Sequence, residues 1–172
     1  MKRIIVEGID GSGKSTVIHM LLERVAGVRL VEGFKHSGFS SYPVWLNSQL
    51  NGSPSPSTPI HDRFFYSELV YGPILRQRID VTPHTYEETI RQLRRSAMLI
   101  YCRPPLKIIR KSSTVKPQME GVDDNLAKIY EEYENLMMDE SEYYRDRFLL
   151  WDFTRHHFIN YMGPRVREYL HG

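Results

Sequence analysis

The chain carries one cysteine, Cys102, among 172 residues, so an intrachain disulfide is excluded and a reducing compartment fits. It has no apolar run near the ~20 residues that span a bilayer, so no membrane partner is expected. The opening Met1-Lys2-Arg3-Ile4 runs straight into a strand-like segment without a secretory core, and a cytoplasmic location is expected. A large charge excess is also missing. Net charge is +2, too little to argue for nucleic acid from charge alone. There are no internal repeats, and the seven histidines lack metal-ligand spacing, so they read as surface or internally satisfied residues.

What remains is ordinary globular material. A hydrophobic fraction of 41% and a charged fraction of 26% suit one domain, residues 1–172, with a core of its own. Charge is unevenly spread. Arg103 to Met119 holds five basic residues (Arg103, Lys107, Arg110, Lys111, Lys116) and no acidic ones, while Glu120 to Glu142 holds nine acidic residues and one basic. Two solvated faces would explain this. So would a basic stretch that meets phosphates.

Hydrophobic periodicity predicts alternating strands and helices. Arg3–Glu7, Val28–Glu32, Pro59–Asp62, Ala97–Cys102 and Phe148–Trp151 read as short strands. Helices are predicted over Thr16–Val25, Ser67–Leu75 with a break at Pro73, Pro83 to about Arg95, Leu106–Lys111, Asp123–Met138 and Phe158–Leu170, with a short turn over Pro43–Leu50. Thr85-x-x-Glu88 has the capping-box pattern. Asn51–Thr58 reads as a loop by composition. Such alternation predicts an α/β domain with a five-stranded parallel sheet flanked by helices. Ligands then sit at the carboxyl ends of the strands, where Gly8–Thr16, Glu32–His36, Asp62-Arg63 and Arg103–Arg110 would converge.

The segment Gly8-Ile9-Asp10-Gly11-Ser12-Gly13-Lys14-Ser15 fits G-x-x-x-x-G-K-[ST] at every position, between a strand and a helix. Its glycines let the backbone curl until N–H groups face phosphate oxygens, and the following helix adds its positive end. Asp10, Gly11, Ser12, Gly13, Lys14, Ser15 and Thr16 are the expected ATP-binding residues. Lys14 would reach the β- and γ-phosphates, and the Ser15 hydroxyl would ligate Mg2+. The chain has no Asn-Lys-x-Asp, so guanine recognition of the GTPase kind gains no support. The third strand ends in Asp62-Arg63, not in the Asp-Glu pair with which many P-loop ATPases activate water.

Glu7-Gly8-Ile9-Asp10-Gly11-Ser12-Gly13-Lys14-Ser15-Thr16 resembles the opening of thymidylate kinases. Asp62-Arg63-Phe64-Phe65-Tyr66-Ser67-Glu68-Leu69-Val70-Tyr71 resembles that family's D-R-Y-x-x-S-x-x-A-Y, with Phe64 for Tyr, Val70 for Ala and Gly72 for the Gln that follows. Pro104 to Arg110 is similar to the segment leading into the family's lid, here within about 103–122. The resemblance implies a nucleoside monophosphate kinase-like P-loop fold and a possible homodimer. It implies that Asp62 helps hold magnesium, that Arg63 grips the acceptor phosphate, that Asp10 faces the acceptor sugar, and that Phe64 and Tyr71 line the acceptor pocket. The P-loop has no arginine, so the lid would supply the catalytic cation: Arg103, Arg110 or Lys116, with Arg110 favoured.

Two departures bear on the acceptor. The family's Arg-Glu-Pro after strand two is replaced by Gly33-Phe34-Lys35-His36, where Lys35 is the candidate substitute cation. The stretch between strands two and three is shorter than the family's and lacks the helix whose aromatic residue stacks on thymine. The leading expectation is therefore transfer of the γ-phosphate of ATP to a (deoxy)nucleoside monophosphate, thymidylate-type. The alternative is transfer to a hydroxyl of a deoxynucleoside, a polynucleotide end or a modified base in DNA. That chemistry needs a general base, for which Glu32 or Asp62 is placed. A non-enzymatic reading, a nucleotide-gated binding protein, would bind ATP without acceptor-dependent ADP release.

Overall fold

The computed structural model describes residues 1–34, 37–52, 55–113 and 120–172. Five strands form one all-parallel sheet: β1 (Arg3–Glu7), β2 (Val28–Val31), β3 (Thr58–Asp62), β4 (Ala97–Cys102) and β5 (Phe148–Trp151), in the order β2-β3-β1-β4-β5. β1 is central and β4 lies beside it, and both are buried at every residue, as runs of β-branched and apolar residues with helices on both faces require. β2 is an edge strand and exposes Arg29 and Leu30.

Alternation along β1 feeds two cores. Ile4 and Val6 join Ile60, Met98, Ile100 and Leu149 against α1 (Lys14–Arg24) and α7 (Gly163–His171). Ile5, Leu99 and Tyr101 face the opposite side, under α2 (Tyr42–Asn51), α3 (Phe65–Tyr71), α4 (Pro83–Ser96) and α6 (Leu126–Tyr144). A further helix, α5 (Leu106–Ser113), follows β4. The register sets Val6 beside Asp62, Glu7 beside Tyr101 and Cys102 beside Trp151, so the carboxyl ends of four strands share one edge.

Several element boundaries differ from the sequence reading. The turn over 43–50 is a full helix, α2. Pro73 cannot donate to the helical ladder, and α3 gives way to a π-helical turn at Gly72–Arg76 that closes at left-handed Gln77. The cap of α4 is Thr82, whose hydroxyl accepts from Thr85 N at 3.2 Å, rather than a box built on Thr85 and Glu88. α6 starts at Leu126, because residues 120–125 turn about Gly121, and it runs on to Tyr144. The final helix is a π-helical turn, Phe158–Met162, followed by α7. Among the described residues no helix is long and apolar enough to cross a membrane.

Candidate active site

The loop after β1 turns on glycines at positive φ, where a side chain would be strained. At Gly8 (φ 140°) a Cβ would stand 2.6 Å from the Cys102 carbonyl oxygen, so the loop lies directly on the end of β4. Gly13 (φ 89°) is the N-cap of α1, and a Cβ there would meet the Phe153 ring at 3.0 Å. The first N–H groups of a helix have no intrahelical acceptor, and those of α1 follow this loop directly, an arrangement suited to an anion. The buried Ser12 hydroxyl has no hydrogen-bond partner among the described residues. Ser15 and Thr16 are exposed in the first turn. A curled donor loop, an orphaned hydroxyl and an exposed serine fit a triphosphate with its metal ion.

Lys14 lies along this loop, nearly buried, with Nζ donating to Ile9 O at 3.0 Å and standing 3.9 Å from Asp10 Oδ1. Burial pushes its pKa down to about 8, and Arg63 pushes the same way. The carboxylates of Asp10 and Asp62 oppose them.

The other half of the site comes from the end of β3. Asp62 is exposed at the strand terminus. Arg63, the next residue, has a left-handed backbone (φ 61°), and its N–H is tied to Val6 O at 3.0 Å. Its Nη2 bonds Asp10 Oδ1 at 2.6 Å and donates to the Tyr71 hydroxyl at 3.0 Å, and the guanidinium carbon lies 4.6 Å from the Tyr71 ring centroid. Asp10, Lys14, Arg63 and Tyr71, from two separate motifs, are thus linked by direct contacts.

Phe64 is a core side chain, 2% exposed, packed edge-on against Trp45 (5.3 Å) and against His61 (4.4 Å). His61 is itself buried, and neither ring nitrogen has a hydrogen-bond partner among the described residues, which corrects for this residue the reading of the histidines as surface or satisfied. Burial pushes its pKa down to about 3. Glu32 is exposed just past β2. Arg103 is ion-paired to Glu134 of α6, whose other oxygen accepts from the Tyr101 hydroxyl at 2.7 Å. Arg110 is exposed in the last turn of α5, within the expected lid. Lys35 and Lys116 lie outside the described residues.

Two residues at the site were not singled out from sequence. Phe153, 42% exposed, packs on Gly13 from a loop that Asp152 braces, its Oδ1 accepting from Thr154 N at 2.9 Å and from the Thr154 hydroxyl at 2.6 Å. Glu7, fully buried, underlies the Arg63 segment. The signal for Glu7 is a charge ending a strand whose three middle residues are all β-branched.

No protein-family profile and no curated protein matches the chain. Solved structures do. The YorR protein of Bacillus subtilis, solved in complex with phosphorylated GDP, superposes with a TM-score of 0.70 at 20% identity, over 99% of this chain and 95% of that one. The chain has a P-loop kinase fold. A protein from Pseudomonas aeruginosa assigned as polyphosphate kinase 2 superposes with a TM-score of 0.63 at 16% identity, over 99% of this chain, which spans 38% of that protein.

Proposed function

We propose that the chain is an ATP-dependent phosphotransferase acting on a (deoxy)nucleoside monophosphate. The observation that carries this reading is the Arg63 guanidinium, held beside Asp10 of the P-loop and over Tyr71, where it faces the loop that takes the donor phosphates. A forked guanidinium suits an anionic acceptor oxygen, and a phosphate acceptor is already ionised near neutral pH and needs no general base. A fold-mate solved with phosphorylated GDP supports a nucleotide-type ligand.

In this reading the loop N–H groups, the Ser12 hydroxyl and Lys14 bind the β- and γ-phosphates. Arg63 grips the acceptor phosphate and gives up Asp10 to do so, and Asp10 is then freed for the acceptor sugar. Tyr71 fixes the plane of the guanidinium. Ser15 and Asp62 would hold Mg2+, which when bound neutralises charge on the transferring phosphoryl group. Arg110 is the favoured cation from the lid side. Phosphoryl transfer asks chiefly for this positioning and charge neutralisation.

The test is an ADP-release screen over all nucleoside monophosphates, nucleosides and short DNA acceptors. Monophosphate-dependent release that Lys14→Ala abolishes is the expected result, and near wild-type transfer by that variant overturns the reading. Glu32→Gln separates the two acceptor classes. A monophosphate kinase keeps most of its turnover, whereas a kinase that used Glu32 as base on a hydroxyl would lose roughly 100-fold.

A further inference from the structure

Glu7 ends β1 and brings a carboxyl group into a fully buried position. Burial raises its pKa, so the site is costly for a charge unless partners compensate. They do. Oε1 accepts from the backbone N–H of Phe64 at 2.9 Å and of Ser67 at 3.4 Å, and Oε2 accepts from the Ser67 hydroxyl at 2.6 Å and the Tyr133 hydroxyl at 3.2 Å. One side chain thus grips the residue that follows Arg63 and the start of α3.

Arg63 needs such a grip. A left-handed conformation costs a non-glycine residue about 1 kcal/mol and persists only where the surroundings enforce it. Here Val6 O takes the N–H on one side of the residue, and Glu7 takes the N–H of Phe64 on the other. Consecutive residues of β1 therefore clamp both ends of the Arg63 unit. With the backbone so fixed, Nη2 reaches both Asp10 and Tyr71.

We propose that Glu7 is a positioning residue for the acceptor side of the site: its carboxyl group holds the Asp62-Arg63-Phe64 elbow in its left-handed form and so sets where Arg63 meets an anionic acceptor. Glu7 itself is sealed from both substrates. The inference rests on reading Arg63 as the acceptor-phosphate ligand.

The test compares Glu7→Ala, Glu7→Gln and Tyr133→Phe with the wild type, using the monophosphate acceptor from the ADP-release screen and measuring Mg-ATP binding separately by calorimetry. In Glu7→Ala, kcat/KM for the acceptor falls roughly 10²-fold, the scale of an ångström-level misplacement, while the Mg-ATP Kd holds. Glu7→Gln keeps an acceptor for the Phe64 N–H and recovers most of that loss. Tyr133→Phe, which removes one hydroxyl donor to the carboxyl group, raises acceptor KM by about tenfold and leaves the Mg-ATP Kd alone. Unchanged acceptor kinetics in Glu7→Ala, or an equal loss of Mg-ATP affinity, overturns the proposal. If Glu7→Ala does not fold, Ser67→Ala carries the test: removing one hydrogen bond to the carboxyl group raises acceptor KM by about tenfold and leaves donor binding alone, and an unchanged KM overturns it. If the wild type phosphorylates no monophosphate, the functional reading fails. A crystal structure of Glu7→Ala, or of Ser67→Ala in its place, then decides the inference: Arg63 out of the left-handed region supports it, and Arg63 unmoved overturns it.

Discussion

Lys14 is held between opposed demands. Burial favours the neutral amine, and donor phosphates require the ammonium. The folded pKa is lowered from 10.5 to about 8, so between those values the unfolded chain binds the proton and the folded chain does not. Stability contributed by this group therefore rises as pH climbs from about 8 toward 10.5. Donor binding runs the other way and weakens over the same range. Comparing thermal stability and Mg-ATP affinity of wild type and Lys14→Met across that window should show the two trends with opposite sign. Arg63 gives a second residue-level expectation. Arg63→Gly and Arg63→Ala both lose acceptor turnover, but the glycine variant should be more stable by about 1 kcal/mol, because only alanine keeps the left-handed penalty. Chemical denaturation of the pair checks this. The P-loop motif is legible in sequence because its spacing is itself the chemistry, and Asp62-Arg63 stands out only through the resemblance to thymidylate kinases. The elbow at Arg63 is not legible, since nothing in Asp-Arg-Phe demands a positive φ until β1 lies alongside.

Strands were easier to read than helices. All five were found within a residue or two, because continuous apolar runs such as Ala97–Cys102 have no other use in a two-faced sheet. α6 was misplaced at its far end because Glu140 breaks the apolar pattern. It is nevertheless buried, its carboxylate held by Arg94 at 2.7 Å and by the Tyr66 hydroxyl at 2.8 Å, pairings that lie 46 and 74 residues away in the chain. α2 was seen only as a turn for a similar reason. Its last carbonyls are satisfied from outside: Arg3, buried in β1, donates Nη1 to Gln49 O at 3.2 Å and Nη2 to Leu50 O at 3.3 Å. At the other end of α2, Tyr42 and Trp45 pack with each other and with Phe34. Arg3→Met should destabilise the fold by about 1–3 kcal/mol through the two orphaned carbonyls. The measurement is a lower denaturant midpoint at unchanged m-value.

At the scale of the molecule, the site belongs to no single element. β1 supplies the loop and Glu7, β3 supplies Asp62-Arg63, β4 supports Gly8, and the loop after β5 brings Phe153 to Gly13. Sequence order hides this, since β1 and β5 are separated by 140 residues or more yet end on the same edge. A ligand that bridges these parts should stabilise the whole. Mg-ATP at 100 times its Kd is expected to add about 2.7 kcal/mol, read as a raised melting temperature that Lys14→Ala loses. The contact between Gly8 and the end of β4 has a practical consequence. The thiol of Cys102 lies 1% exposed beneath the loop, and burial pushes its pKa up to about 12. As the chain's sole thiol, it can react with a disulfide reagent only when the sheet edge opens. Its labelling rate is therefore a clock for opening events of the native state. Mg-ATP should slow that clock by the same factor by which it suppresses opening, and mild urea should speed it.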